Sequence, residues 1–99
     1  MVEPGVVLWT LHEECRKQGL LYPVDMSSGG SCALGGNLAC DGGGERAVKY
    51  GTTRAQVAGV EAVLMGGDVI RTGGKLRKNA AGYALHHLIV GSEGTLAVI

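Results

Sequence analysis

The sequence is short of cysteine, and the little it has excludes several classes of protein. Only three of the 99 residues are cysteines, Cys15, Cys32 and Cys40, and no two of them have the spacing Cys-x-x-Cys. An odd number of cysteines without that spacing argues against a disulfide scaffold and against a structural zinc site. A reducing compartment fits best, so we expect a cytoplasmic protein without a metal site.

The sequence also lacks an excess of charge and any long apolar run. Nine basic residues balance nine acidic ones, so bulk electrostatics favours neither nucleic acid nor an anionic membrane as a partner. No apolar run approaches the roughly 20 residues of a membrane helix. The start, Met1–Pro4, has neither the basic region nor the apolar region of a signal peptide, so we expect no such peptide. A chain of 99 residues makes one small domain at most.

Glycine, by contrast, is abundant, with 18 residues and no repeat period. It is concentrated in the stretch 23–44, which reads PVDMSSGGSCALGGNLACDGGG. Composition alone would also suit a flexible linker. The ordered placement of Pro23, Asp25 and the run Gly35-Gly36-Asn37 instead favours a loop that wraps a flat, phosphate-bearing ligand, because glycine lets the main chain lie directly against another surface.

Hydrophobic spacing predicts a helix over residues 6–18, ended by Gly19. On it we expect Glu13 and Lys17 to pair and His12 to face solvent. A helical turn is expected around Asn37–Cys40, where backbone amides suit phosphate or carbonyl oxygens.

Beyond the glycine-rich stretch, Thr52–Arg54 could cap a short turn. The run Val57–Met65 contains one charge and predicts a largely buried strand. Gly66-Gly67 predicts a two-residue hairpin turn, and Asp68–Arg71 predicts the returning strand.

The basic segment 73–79 is either a solvated loop or a surface for an acidic substrate or partner subunit. Apolar residues between Tyr83 and Ile89 predict a short amphipathic helix. His86 and His87 are adjacent and face different directions on a helix, so they cannot form a paired metal face. Segment 91–95 predicts a tight turn, and 96–99 the start of a strand in what we expect to be an incomplete domain.

Several blocks in register carry a family resemblance. Segment 22–28 reads YPVDMSS, 34–39 reads LGGNLA, 41–44 reads DGGG, 77–83 reads RKNAAGY and 91–96 reads GSEGTL. These blocks resemble the FAD-binding domain of the PCMH or vanillyl-alcohol oxidase type. The resemblance is to the branch containing the glycolate oxidase D subunit and the D-lactate and D-2-hydroxyglutarate dehydrogenases.

The resemblance implies an α+β fold with a mixed or antiparallel sheet and short flanking helices. It implies that residues 1–99 form a partial FAD-binding domain, the second subdomain, without the upstream pyrophosphate loop and the downstream cap domain of the family. That cap carries the substrate pocket and the metal ligands of the dehydrogenases. Within this chain we therefore predict no catalytic base and no metal ligand.

The resemblance also implies a set of residues that contact FAD. Glycines would allow close approach of the main chain, Ser28 and Asn37 would bond ring or phosphate oxygens, and Ile99 would offer main-chain groups. Cys32 is either a flavin contact or a small, semi-buried side chain that fills space. For Cys40 we expect only the second role. The full predicted set is Pro23, Asp25, Ser28, Cys32, Gly35, Gly36, Asn37, Ala39, Gly43, Gly44, Glu93, Gly94 and Ile99.

Three residues depart from the family pattern. Met26 stands where proline is usual, Asp41 where asparagine is usual, and Ala97 where glycine is usual. An anion at position 41 would be unfavourable if it faced a phosphate and harmless if it faced solvent.

The resemblance therefore implies an FAD-binding fragment of a flavin-dependent dehydrogenase or oxidase. The parent would convert a D-2-hydroxy acid such as glycolate or lactate to the 2-oxo acid, and we expect the fragment alone to be inactive. The alternative is a truncated, non-catalytic subunit fragment that acts in assembly without flavin. An unrelated nucleotide-binding module is a third reading, but the sequence has neither a Walker A loop nor a Gly-x-Gly-x-x-Gly fingerprint.

Overall fold

The computed structural model describes residues 1–74 and 83–99. They form an α+β arrangement of short helices and one sheet, as predicted. The basic positions Lys75, Arg77 and Lys78 of the predicted loop lie outside the described residues. The helices are α1 (Leu8–Lys17), α2 (Leu34–Ala39), α3 (Ala47–Tyr50), α4 (Thr53–Gln56) and α5 (His86–Ile89), and the strands are β1 (Gly59–Leu64), β2 (Val69–Gly73) and β3 (Ala97–Val98).

Helix α1 is anchored at its start and ends where the sequence predicts. Leu8 is fully buried, and its amide donates to the carbonyl of Cys32 at 3.1 Å. Gly19, with φ +69°, takes the left-handed conformation that commonly follows a helix end. The anchoring bond joins the first turn of α1 to the segment that precedes α2.

Two predictions for side chains of α1 are wrong. The ammonium group of Lys17 pairs with Glu14 at 2.5 Å, one turn away, instead of with Glu13. His12 is half-buried, and its Nε2 lies 2.8 Å from the carbonyl oxygen of Val24. It does not simply face solvent, because the chain after α1 folds back along this side of the helix.

The sheet has the strand order β2-β1-β3, and both pairings are antiparallel. In β1, Val60 and Ala62 are buried, whereas Glu61 and Val63 are exposed. The prediction of a largely buried strand is therefore wrong, because β1 buries one face only. The alternation follows the two-residue period of a strand.

The hairpin between β1 and β2 is confirmed, but its turn differs from the prediction. The amide of Leu64 donates to Asp68 O at 2.9 Å, and that of Gly67 donates to Leu64 O at 2.9 Å. Only Gly67, with φ +90°, has a positive φ, whereas the predicted turn needs it at both glycines. The turn therefore spans residues 65–67.

The core lies between one face of the sheet and the helices α2 and α5. The prediction of an amphipathic helix near residue 85 is confirmed in a shorter form, with Ile89 buried but Leu85 and Leu88 exposed. Packing against the sheet places α2 beside the segment that follows α5. The buried core consists of Leu34, Leu38, Val60, Ala62, Ile89, Val90 and Ala97.

Candidate functional site

Helix α2 carries the Gly35-Gly36 pair, and the two glycines have different surroundings. Gly36 is exposed, and a Cβ added there would have no atom within 4 Å. A Cβ on Gly35 would lie 2.8 Å from the Cβ of Pro4, and the Gly35 amide donates to Pro4 O at 2.7 Å. The open patch of main chain predicted here is therefore present at Gly36 and covered by Pro4 at Gly35.

The end of α2 is bonded directly to the turn at 91–95. The amide of Gly91 donates to Leu38 O at 2.9 Å, and that of Glu93 donates to Ala39 O at 2.8 Å. The last carbonyls of a helix lack partners within it, and these two amides supply them. Ala39 and Glu93, predicted from separate blocks of sequence, are thus hydrogen-bonded neighbours.

The turn itself has an unusual backbone. Glu93 has φ +53° and Gly94 has φ +76°, and a Cβ on Gly94 would meet nothing within 4 Å. A residue other than glycine at positive φ is uncommon and persists where its surroundings fix it. The bonds from Thr95 to Ser92 O, at 3.0 Å from the amide and 2.6 Å from the hydroxyl, fix this turn locally. Gly94 therefore presents a second open stretch of main chain.

Asn37 is directed into the protein. Only 4% of the residue is exposed, and its Nδ2 donates to Cys32 Sγ at 3.5 Å. The backbone carbonyl of Asn37 accepts the Gly42 amide at 2.8 Å. The prediction that Asn37 or Cys32 contacts flavin stays a prediction. Cys40 is exposed, so the expectation that it is a semi-buried filler is wrong.

The glycines that follow α2 are shaped by contacts inside the chain. A Cβ on Gly44 would lie 2.0 Å from Asp25 O, and the Glu45 amide donates to the same oxygen at 3.1 Å. Gly43 has ordinary spacing, 3.5 Å from the Cβ of Ala47. At Gly44 the missing side chain thus lets two main-chain segments touch.

A depression of about 220 Å³ lies beside α1. Of the predicted residues only Asp25 lines it, and the Asp25 carboxylate lies 3.7 Å from the guanidinium of Arg46. Its lining residues are His12, Arg16, Leu20, Leu21, Tyr22, Asp25 and Arg46.

Three predicted contact residues remain, Pro23, Ser28 and Ile99, and their exposure differs. Pro23 is half-buried and Ser28 is exposed. The Ser28 carbonyl accepts the amides of Ser31 and Cys32, each at 2.8 Å. The half-buried side chain of Ile99 packs against the core, so a contact with cofactor there would come from its main chain.

Asp41, which departs from the family pattern, has a protein cation as its partner. Its carboxylate accepts the backbone amide of Arg54 at 2.8 Å and the Arg54 Nε at 2.9 Å. Burial raises the pKa of this carboxyl, but the hydrogen bonds from Arg54 and Thr52 outweigh burial and hold the pKa below its usual value. The negative charge of Asp41 is therefore neutralised within the chain. Its carboxylate faces Arg54 instead of the phosphate or the solvent considered from the sequence.

Arg54 is a residue whose role sequence reasoning missed. Besides Asp41, its guanidinium donates to the carbonyl of His87 and to that of Val90, the latter at 2.7 Å. The neighbouring Thr53 is fully buried, and its hydroxyl donates to Gly42 O at 2.5 Å. A separation of 13 residues between Asp41 and Arg54 has no periodicity that would have predicted the pair.

Two kinds of feature are absent from the described residues. Within 1–74 and 83–99, no three His, Cys, Asp or Glu side chains are grouped so that they could hold a metal ion. Over the same two segments, no helix has the length and apolar character needed to cross a membrane.

Comparison with known proteins decides the family. Residues 1–73 match the protein family described as FAD binding domain. The chain belongs to this family. The resemblance drawn from the sequence blocks is therefore confirmed, as is FAD as the cofactor of the family.

The curated relatives are named as dehydrogenases, as an oxidase subunit or as FAD-linked oxidoreductases, and they are much longer than this chain. It is 50% identical to the glycolate oxidase subunit GlcD of Bacillus subtilis and 45% identical to a D-2-hydroxyglutarate dehydrogenase of Xanthomonas citri pv. viticola. Each comparison covers 99% of this chain and 21% of the relative. A D-lactate dehydrogenase of Anaerostipes hadrus is 44% identical, with 99% and 20% covered. The chain thus spans about a fifth of the length of these relatives.

A solved structure supports the fold assignment. An alkyldihydroxyacetonephosphate synthase superposes with a TM-score of 0.80 at 31% identity, covering 98% of this chain and 17% of the other. The predicted α+β fold of the FAD-binding type is confirmed by this neighbour together with the family match.

Proposed function

We propose that this chain supplies FAD-contacting segments of a flavin-dependent dehydrogenase or oxidase that acts on a D-2-hydroxy acid. The observation that carries the proposal is the open main chain at Gly36 and Gly94. These glycines lie on two segments joined by the hydrogen bond from Glu93 to Ala39, 2.8 Å long. A flat ring system needs surfaces without side chains, which both glycines offer.

The residues around this patch fit the cofactor. At positions 36 and 94 an added Cβ would extend into open space beside the main chain, and we place the closest main-chain contacts with FAD there. We propose that Asp25, Ser28 and Ala39 line the edges of the site. When bound, FAD supplies the redox chemistry by accepting a hydride equivalent at its ring, while the protein binds and orients it.

We extend the proposal to the parent enzyme on the basis of the relatives' names. Glycolate, D-lactate and D-2-hydroxyglutarate are all 2-hydroxy acids, and their oxidation gives 2-oxo acids. We propose that the chain is the second subdomain of the FAD-binding domain, and that an upstream pyrophosphate loop and a downstream cap with the substrate pocket belong to the parent. Because the Bacillus subtilis relative is named as a subunit, we also propose partner subunits. The cysteine pattern supports a cytoplasmic location.

A second candidate function is assembly without flavin. The observation in its favour is that Gly35 and Gly44 are explained by packing against Pro4 and Asp25. Packing within the chain thus accounts for these two glycines without a ligand.

Ligand-induced stabilisation separates the two candidates. FAD at 100 times its dissociation constant should raise the free energy of unfolding of the 99-residue chain by about 2.7 kcal/mol. Urea unfolding with FAD, with ADP and without ligand is the measurement. Unchanged unfolding with FAD would favour assembly, and equal stabilisation by ADP would indicate a general nucleotide module.

A further inference from the structure

Arg54 connects three segments of chain through one side chain. Its Nε and backbone amide bond the carboxylate of Asp41, in the loop that follows α2. Its two terminal nitrogens donate to the carbonyl of His87, within α5, and to that of Val90, just before the turn at 91–95. We call Arg54 with these three acceptors the Arg54 bridge.

The bridge lies against the main chain of the turn. A Cβ on Gly91 would come within 2.7 Å of an Arg54 terminal nitrogen and 3.2 Å of the Asp41 Cβ. The guanidinium therefore occupies the space where a side chain at position 91 would start. From Gly91 the amide continues to Leu38 O on α2, 2.9 Å away. Arg54 thus braces the connection between the segment carrying Gly36 and the segment carrying Gly94.

We propose that Arg54 is a positioning residue for the cofactor. Through the Arg54 bridge, this side chain sets the spacing between the two open main-chain patches, one at Gly36 and one at Gly94. This rests on the proposed function, because the patches are the places where we put FAD. Arg54 itself needs no contact with the cofactor. Its role is to hold the Asp41 carboxylate, which follows α2, in a fixed position relative to the carbonyls of His87 and Val90.

The shape of arginine explains why this residue type is required. The planar guanidinium group presents five N–H donors in a fixed fork and so reaches a carboxylate and two carbonyls from one centre. Lysine offers a single ammonium on a flexible stem and cannot hold acceptors in these separate directions with the same geometry. A lysine substitution would keep the charge and the backbone bond to Asp41, and would lose the set of guanidinium bonds to Asp41, His87 and Val90.

The test compares Arg54→Gln and Arg54→Lys with Arg71→Gln in the 99-residue chain. Arg71 is a matched control, because it pairs with Glu61 on the exposed face of the sheet. Amide hydrogen exchange by NMR reports the turn through Gly91 and Glu93, and reports the core through Val60 and Ala62. Titration with FAD and the visible circular dichroism of bound flavin report the cofactor.

We expect both Arg54 variants to exchange the amides of Gly91 and Glu93 at least about tenfold faster, with core amides unchanged. FAD should bind about tenfold more weakly to each, with an altered flavin dichroism, because the two patches would no longer be held at a fixed spacing. Arg71→Gln should match the wild type in every readout.

Unchanged exchange and unchanged FAD affinity in Arg54→Gln would overturn the positioning role. Full recovery in Arg54→Lys would overturn it as well, since only charge would then matter. Failure of the wild type to bind FAD would overturn the proposed function instead. The exchange data would still decide separately whether the bridge braces the turn.

Discussion

At the scale of single residues, the most informative position is Asp41. The family pattern usually has a neutral amide there, and a carboxylate in a loop expected to lie near phosphates would repel them. The structure turns this carboxylate toward Arg54, whose backbone and Nε both donate to it. The negative charge of Asp41 is thereby neutralised within the chain. Its backbone has φ +52°, which aspartate tolerates because it enters the left-handed region more readily than most residues.

Acid should destabilise the protein partly through Asp41. Its pKa is lower in the folded chain than in the unfolded chain. The stabilisation is therefore complete above the unfolded pKa of about 3.9 and is lost as the pH falls through the folded value. We expect Asp41→Asn to flatten the decline in urea midpoint between about pH 5 and pH 2.

The control for this pH series is Asp68→Asn. Asp68 is exposed beside the hairpin turn, and its contribution to the hairpin comes from its backbone carbonyl. The control should follow the wild-type pH profile. An Asp41→Asn profile as steep as that of the wild type would contradict the pairing of Asp41 with Arg54.

At the scale of elements, helix α2 is a poor helix by propensity. It is six residues long and contains two glycines, each of which costs about 0.5–1 kcal/mol relative to alanine. Its stability comes from the buried side chains of Leu34 and Leu38 and from the bond of the Leu34 amide to Val6 O at 2.9 Å. Tertiary packing therefore sustains a helix that leaves Gly36 bare.

The β1–β2 hairpin allows a sharp comparison between two adjacent glycines. Gly67 has φ +90°, whereas Gly66 does not have a positive φ, and a Cβ at either position would meet open space. Gly67→Ala should lower the free energy of unfolding by about 1–2 kcal/mol through backbone strain alone. Gly66→Ala should stay within about 0.5 kcal/mol of the wild type. Urea unfolding measures both, and equal effects would contradict the described turn.

At the scale of the whole molecule, local patterns predicted most elements, though not helix α3, and they predicted contacts poorly. Helix α1, the hairpin and strand β3 follow from hydrophobic spacing and glycine positions, because these act over a few residues. The His12–Val24 contact and the Arg54 bridge join positions 12 to 36 residues apart. No periodic signal encodes such contacts, since they depend on how the elements pack.

The same limit applies to the candidate site. The space beside Gly35 and Gly44 is occupied by Pro4 and Asp25, whereas the space beside Gly36 and Gly94 is open. All four are equivalent as letters in the sequence, because each simply lacks a side chain. Only the packed structure separates glycines that let the chain touch itself from glycines that leave room for a ligand.

The central claim is that open main chain at Gly36 contacts FAD, and the affinity of the Gly36→Ala variant for FAD tests it most directly. Apart from its chain neighbours and the backbone of α2, the methyl group would meet no protein atom within 4 Å, and it should stabilise α2 by about 0.5–1 kcal/mol. Against bound flavin it should clash and weaken binding about tenfold, while Gly66→Ala, equally open in the hairpin, binds as the wild type does. FAD affinity that is unchanged in Gly36→Ala would contradict the claim.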